Sequence, residues 1–440
     1  MARELREPAS PPTKSSSGTM GRLGRNGRVA ILISAMGLLV WVGWEIIGNT
    51  VADTRASSDP QTALIWRAND ADALIDQAET QLAADEADRD LASVMDLSRR
   101  ALRADPIASD ALRTLALATE LSGDGNGADA LMSLAANRSL RDTGAQAWLF
   151  DQRLRQRKFA EALQHADAIL RTRPDLLDQF LAPLTAIAAD GPGRQALVDV
   201  LKTDPPWRAW FLARLPQQSS ASTTYAVLSA LATAAAPLPA AELQPYIDQL
   251  IKGGDYQVAF LAWLHFLPPA QSNALPYLFN GDFELPVSGI VFDWTIATIR
   301  GATTTVVDTG EKDLGHVLRA VFSSTRVPYR QVSKLLVLPP GAYDLTGLVK
   351  SDNFVNARGM VWQITCAEDE TQVVGTSDPV VGTSSWRSFG MGFVVPSSGC
   401  QAQWLRLKLA ARIPVEEQVS GAIWYDRLAI TRANSTPTSG

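Results

Sequence analysis

At 440 residues the chain is too long for one ordinary core, and its 46% hydrophobic and 20% charged residues mark a globular protein, not a low-complexity one. A net charge of -6 excludes a general nucleic-acid binder, which needs a basic footprint. The charge is unevenly spread: Arg3, Arg6, Lys14, Arg22, Arg25 and Arg28 outweigh Glu4 and Glu7 at the start, whereas Asp70 to Asp96 is strongly acidic.

Residues 1–28, with "PASPPTKSSSGT", hold too little apolar material to fold and read as a disordered cytoplasmic tail. Val29 to Ile47, "VAILISAMGLLVWVGWEII", is uncharged for sixteen residues before Glu45. Counted on to Val51, it approaches the ~20 residues of a spanning helix. Trp41 and Trp44 lie at its far end, where interfacial aromatics are expected. The preceding arginines keep the N-terminus inside, so residues 29–51 read as a single transmembrane helix and the rest of the chain as exported. A cleaved signal peptide is the competing reading. Against it stand a long leader and an apolar run beyond the usual h-region of about 7–15 residues.

After a linker at 52–62, residues 63–267 read as helix after helix. "ALRADP" ends at Pro106 and "ILRTRP" at Pro174, 68 residues on, which is two periods of 34. Ala135, in the intervening "AANRSLRD", lies 34 after Ala101, and "VLKTDP" ends at Pro205, 31 past Pro174. Small Ala residues let neighbouring helical pairs stack and bury faces that neither covers alone. The region resembles a degenerate tetratricopeptide array, an α-solenoid, which implies a scaffold for partner proteins and no chemistry of its own. An irregular helical domain with coincidental proline spacing is the alternative.

"LPPAQSNALPY", Leu267–Tyr277, has three prolines that no helix should cross, which puts a linker at 268–276. From 277 to 433 the apolar residues alternate at period two. "YDLTGLVK", "GMVWQITC", "WLRLKLAAR" and "GAIWYDRLAI" read as strands separated by turn clusters, which makes this an antiparallel sandwich. Residues 434–440 read as a second disordered tail. The fold class is therefore multidomain, α then β.

The ordered set "NGDFE" (Asn280–Glu284), Trp294, "LPPGAYDLTGLVK", "WRSFGMGFVVP" and "IWYDRLAI" resembles a jelly-roll carbohydrate-binding module. It is similar to the xylan- and glucan-binding modules appended to glycoside hydrolases. The resemblance implies a structural calcium where the first and last strands meet, at Glu284 and Asp426. Strand-end hydrogen bonds are the other use for those carboxylates.

Period two also sorts the strand faces. Trp404, Arg406 and Lys408 lie opposite Leu405, Leu407 and Leu409, Gln363 lies opposite Trp362, and Lys350 opposite Val349. Tyr425 and Arg427 are expected on the outer face of the last strand. Together Trp404, Arg406, Lys408, Tyr425, Arg427, Gln363 and Lys350 form the candidate glycan-binding set, since sugars take flat rings and planar polar groups. Its basic members suit an acidic polysaccharide, while a solvated face with stray aromatics is the competing account. Trp294, Trp362, Trp386 and Trp424 read as core. Cys366 and Cys400, an even count in an exported module, read as a disulfide in preference to two buried thiols.

No enzyme signature emerges: His165, His265 and His316 stand in unrelated contexts, and there is no zinc spacing, phosphate loop or nucleophile elbow. The whole resembles an accessory protein of a bacterial exopolysaccharide system. That implies an inner-membrane, single-pass, periplasmic protein with assembly or export proteins and a polysaccharide as partners. A protein scaffold that binds no sugar is the alternative, and a glycan-active enzyme a further one.

Overall fold

The computed structural model describes residues 50, 59–232, 238–268, 271, 276–311 and 313–433. No helix among them is long and apolar enough to cross a membrane. The expected span at 29–51 lies outside the described residues, Thr50 apart, as do the tails at 1–28 and 434–440.

Thirteen α-helices come first among the described residues. They are α1 (Pro60–Trp66), α2 (Ala71–Leu82), α3 (Leu91–Ala104), α4 (Ser109–Leu121), α5 (Gly125–Arg138), α6 (Thr143–Arg155), α7 (Phe159–Thr172), α8 (Leu177–Ala189), α9 (Gly191–Leu201), α10 (Arg208–Gln218), α11 (Ala221–Leu231), α12 (Ala240–Lys252) and α13 (Tyr256–Phe266). Much of the acidic run is helix punctuation. Asp70 and Asp90 accept hydrogen bonds from the amides of Ala73 (3.0 Å) and Ser93 (3.1 Å), and Asp124 and Asp190 repeat the device further on. Helices α3, α5 and α7 open at Leu91, Gly125 and Phe159, and α4, α6 and α8 at Ser109, Thr143 and Leu177, so each series steps by 34 residues. Ala101 and Ala135, one step apart, are both fully buried. Ion pairs span the same interval, Glu79 to Arg113 at 3.0 Å and Arg208 to Glu242 at 2.7 Å.

The chain divides into two compact units between Leu149 and Phe150, inside α6. The second unit therefore holds the later helices together with all of the β-structure.

Among the described residues ten strands make two five-stranded sheets. The first runs β1 (Thr295–Ile296), β4 (Val332–Leu336), β9 (Gln403–Leu409), β6 (Met360–Cys366) and β7 (Val373–Thr376). The second runs β2 (Ala302–Asp308), β3 (His316–Arg326), β10 (Gln418–Arg432), β5 (Gly341–Asn356) and β8 (Gly382–Val395). Every pairing is antiparallel. The sheets close on one core to which both contribute, with Trp362, Ile364, Leu405 and Leu407 from the first and Leu318, Leu345, Val349 and Ile423 from the second.

The first strand begins at Thr295, well inside the region 277–433 that the alternation marks as β. Residues 277–294 instead form an irregular segment knotted by Asn280, whose backbone is left-handed at φ 51°. Its side-chain Nδ2 donates to the Leu285 carbonyl (3.0 Å) and to Asp293 (3.1 Å), and its backbone carbonyl accepts from the Trp294 indole (2.7 Å). Gly281 is required because a Cβ there would lie 1.9 Å from the Leu428 carbonyl of β10. The segment also carries Phe279 and Phe292 to α13, where Trp263 packs against them at 5.2 and 5.6 Å. Lys334 of β4 points into this junction. It is 1% exposed, with its ammonium 4.6 Å from the Trp294 ring centre and donating to the Phe279 carbonyl. Burial pulls its pKa down to about 7, opposed by the nearby Asp293 carboxylate.

Cys366 and Cys400 form the expected disulfide, with Cα atoms 5.0 Å apart. It ties the end of β6 to the loop before β9 across 34 residues of chain, a closure worth about 4 kcal/mol in the loop-entropy account.

Candidate functional site

Strand β9 alternates strictly, with Leu405, Leu407 and Leu409 in the core and Trp404, Arg406 and Lys408 half-buried on the outer face of the first sheet. Register places Gln363 of β6 beside Arg406 and Thr365 beside Trp404. The outer row is internally bonded. The Arg406 guanidinium lies 4.8 Å from the Trp404 ring centre and pairs with Glu370 at 2.7 Å. Lys408 donates to Gln363 at 3.4 Å, and Gln363 to Thr376 at 3.3 Å. Four members of the predicted set, Trp404, Arg406, Lys408 and Gln363, thus come together as an indole edged by amide, hydroxyl and cationic donors. Such a face can hydrogen-bond ring hydroxyls.

The other three do not join them. Lys350 and Arg427 belong to the second sheet, whose outer face looks away from the first. Alternation tells inside from outside on each strand but not which sheet owns the strand, and the consecutive strands β9 and β10 belong to different sheets. Tyr425 is 1% exposed in the core, against the expectation that it faces outward; its ring lies 5.4 Å from Trp362. The cause is a register shift in β10 between Asp426 and Ala429, with Arg427 at φ 50°. Ile423 and Tyr425 face inward before this bulge and Leu428 and Ile430 after it, so one parity cannot be carried across. Arg427 is exposed there, and its guanidinium donates to the Asp313 carbonyl.

Of the four tryptophans read as core, Trp294 and Trp362 are fully buried, whereas Trp386 and Trp424 are only half-buried. Trp424 stands on the outer face of the second sheet, paired in register with Arg319 of β3 and Lys350 of β5. Sequence reasoning missed Arg319, which cross-strand register places beside Trp424, and Glu370, which reaches Arg406 from the turn between β6 and β7; no single-strand pattern carries either contact.

Glu284 and Asp426 come to one corner. Glu284 accepts from the His316 amide at 2.8 Å and lies 3.1 Å from its ring Nδ1, and these bonds hold its pKa below the ordinary carboxylate value. Asp426 is 1% exposed. One of its oxygens accepts from the Arg427 amide at 2.6 Å, while the other has no hydrogen-bond partner among the described residues and sits 3.8 Å from the Arg427 Nε. Burial raises its pKa to about 6, with the Asp282 and Glu284 charges adding to the shift. The orphaned Asp426 oxygen suits a cation or a proton. No three His, Cys, Asp or Glu side chains gather as a metal-holding group among the described residues. Calcium takes six to eight oxygens, so Glu284 and Asp426 would supply only part of such a shell.

No protein-family model matches the chain, and no curated protein matches it. Among solved structures it is similar to the CBM4 structure, at 14% identity over 36% of this chain and 99% of that one, with a TM-score of 0.28. It is also similar to a putative sugar binding protein from Bacteroides thetaiotaomicron, at 8% identity over 36% of this chain and 100% of that one, TM-score 0.28. A third is TmCBM61 in complex with β-1,4-galactotriose, at 12% identity over 36% of this chain and 100% of that one, TM-score 0.25.

Proposed function

We propose that this is a non-catalytic accessory protein of an envelope polysaccharide system. In this reading its C-terminal sandwich is a jelly-roll glycan-binding module, and its helical pairs are a tetratricopeptide-like scaffold for assembly or export proteins. The observation that carries the reading is the outer face of the first sheet, where Trp404, Arg406, Lys408 and Gln363 stand together on adjacent strands. The buried disulfide fits an oxidising compartment, as export by an anchor at 29–51 would require.

The test is affinity electrophoresis of the full chain through gels carrying neutral β-glycans such as xylan or β-glucan. Retention is expected, with Trp404→Ala weakening it about tenfold through loss of the aromatic platform. No retention by any polymer would sink the glycan reading and favour a pure protein scaffold. One observation already leans toward that second reading: Arg406 lies against the Trp404 ring and is neutralised by Glu370, as in a self-satisfied surface cluster.

A further inference from the structure

The second sheet presents a different chemistry on the opposite side of the sandwich. Strand β10 is its central strand, and Trp424 stands at the middle of a row that crosses the strands. Register sets Thr305 of β2 beside Arg319 of β3, Arg319 beside Trp424, and Trp424 beside Lys350 of β5. On β8 the pairing jumps from Arg387 opposite Val349 to Ser384 opposite Ser351, so Ser385 and the half-buried Trp386 together oppose Lys350. Five strands at their usual spacing make this row roughly 19 Å long. That is the reach of a polymer, not of one small molecule.

The Arg319 guanidinium and the Lys350 ammonium lie 5.7 and 5.5 Å from the Trp424 ring centre, one from each neighbouring strand. No carboxylate comes within ion-pair distance of either cation among the described residues. The row itself contains no acid, and the nearest on β5 is Asp352, two positions along and facing Ala422. This is the reverse of the first sheet, where Glu370 cancels Arg406. In a chain of net charge -6, two cations flanking an indole with no carboxylate paired to either make a local basic patch that attracts anions.

We propose that the Thr305–Arg319–Trp424–Lys350 row is a second binding face, for an acidic polysaccharide that bears carboxylates along its length. Its uronate groups would pair with Arg319 and Lys350 while a sugar ring lies along Trp424. Nucleic acid fits less well, because two cations on an acidic protein give too small a basic footprint. The inference shares the premise that the sandwich binds glycans, but it stands on residues that the Trp404 face does not use. Two faces on opposite sides would let one module bridge two chains of matrix.

The full chain, run through gels carrying polygalacturonate and in parallel through neutral xylan gels, tests this directly. The charge-removing pair Arg319→Gln/Lys350→Gln, both at surface positions, should keep its fold and its xylan retention while losing at least about tenfold in polygalacturonate retention. Retention of the wild type on polygalacturonate should also fall steeply as salt rises. Trp404→Ala should show the opposite pattern. Polygalacturonate retention that is absent, or unchanged in the double variant, overturns the proposal while leaving the xylan result to judge the first face. Equal loss by Trp404→Ala would mean a single site and overturn it too, as would tighter retention by single-stranded DNA than by polygalacturonate.

Discussion

Asp426 is the residue on which the calcium question turns, and its protonation gives the answer a sign. Its folded pKa of about 6 stands above the unfolded value near 3.8. Below pH 4 both states hold the proton and the group contributes nothing to the pH dependence. Between about pH 4 and 6 the unfolded carboxylate ionises while the folded one keeps its proton, so stability falls as pH rises. The loss is complete above pH 6 and amounts to at most about 3 kcal/mol. Asp426→Asn, measured by thermal unfolding in chelator, should therefore be more stable than wild type at pH 7 and no more stable at pH 4. A bound cation reverses this: added calcium would raise the wild-type melting temperature, and the variant would be the less stable at pH 7. No melting shift on calcium addition would remove the metal from the account.

Among the elements, β10 decides how much of the site could be read in advance. Its strand character is plain in "GAIWYDRLAI", and the same alternation placed Trp404, Arg406 and Lys408 on the outer face of β9, where they stand. Within β10, two register shifts break the parity, at Ser420/Ala422 and at Asp426/Ala429. A bulge is set by where the partner strand lies, which no alternation of apolar residues encodes; hence Tyr425 was legible as aromatic and strand-borne but not as buried. Gly421 shows the constraint physically. Its φ is +89°, and a Cβ there would sit 2.0 Å from the Asn353 carbonyl of β5. Backbone cannot yield as a flexible side chain would, so Gly421→Ala should cost at least about 2 kcal/mol. Calorimetry of the full chain should show the β-structured unit melting several degrees lower. A melting temperature unchanged within a degree would mean that β10 does not hold this bulge.

At the scale of the molecule, the prolines before Tyr277 promised two independent halves, yet the later helices and the sandwich form one compact unit. The reason is aromatic and local. Trp263 of α13 is 2% exposed, with Phe279 and Phe292 of the irregular segment packed on it and Phe260 meeting Phe292 at 5.4 Å. Removing that ring should cost about 3–5 kcal/mol of the coupling between helices and sheets. Wild type should then unfold residues 150–433 in one transition, and Trp263→Ala in two, one lost by far-UV helix signal and one by near-UV tryptophan signal. Under the proposed glycan-binding function, the coupling would also give binding a route to the helices. A ligand at about 100 times its dissociation constant adds about 2.7 kcal/mol to whatever unfolds with its site. In wild type, saturating glycan should raise the helical transition along with the sheet transition. In Trp263→Ala it should raise the sheet transition alone. A helical shift of equal size in both proteins would show that the aromatic junction is not what joins helices to sheets, and no helical shift in either would show that the helices do not sense what the sandwich binds.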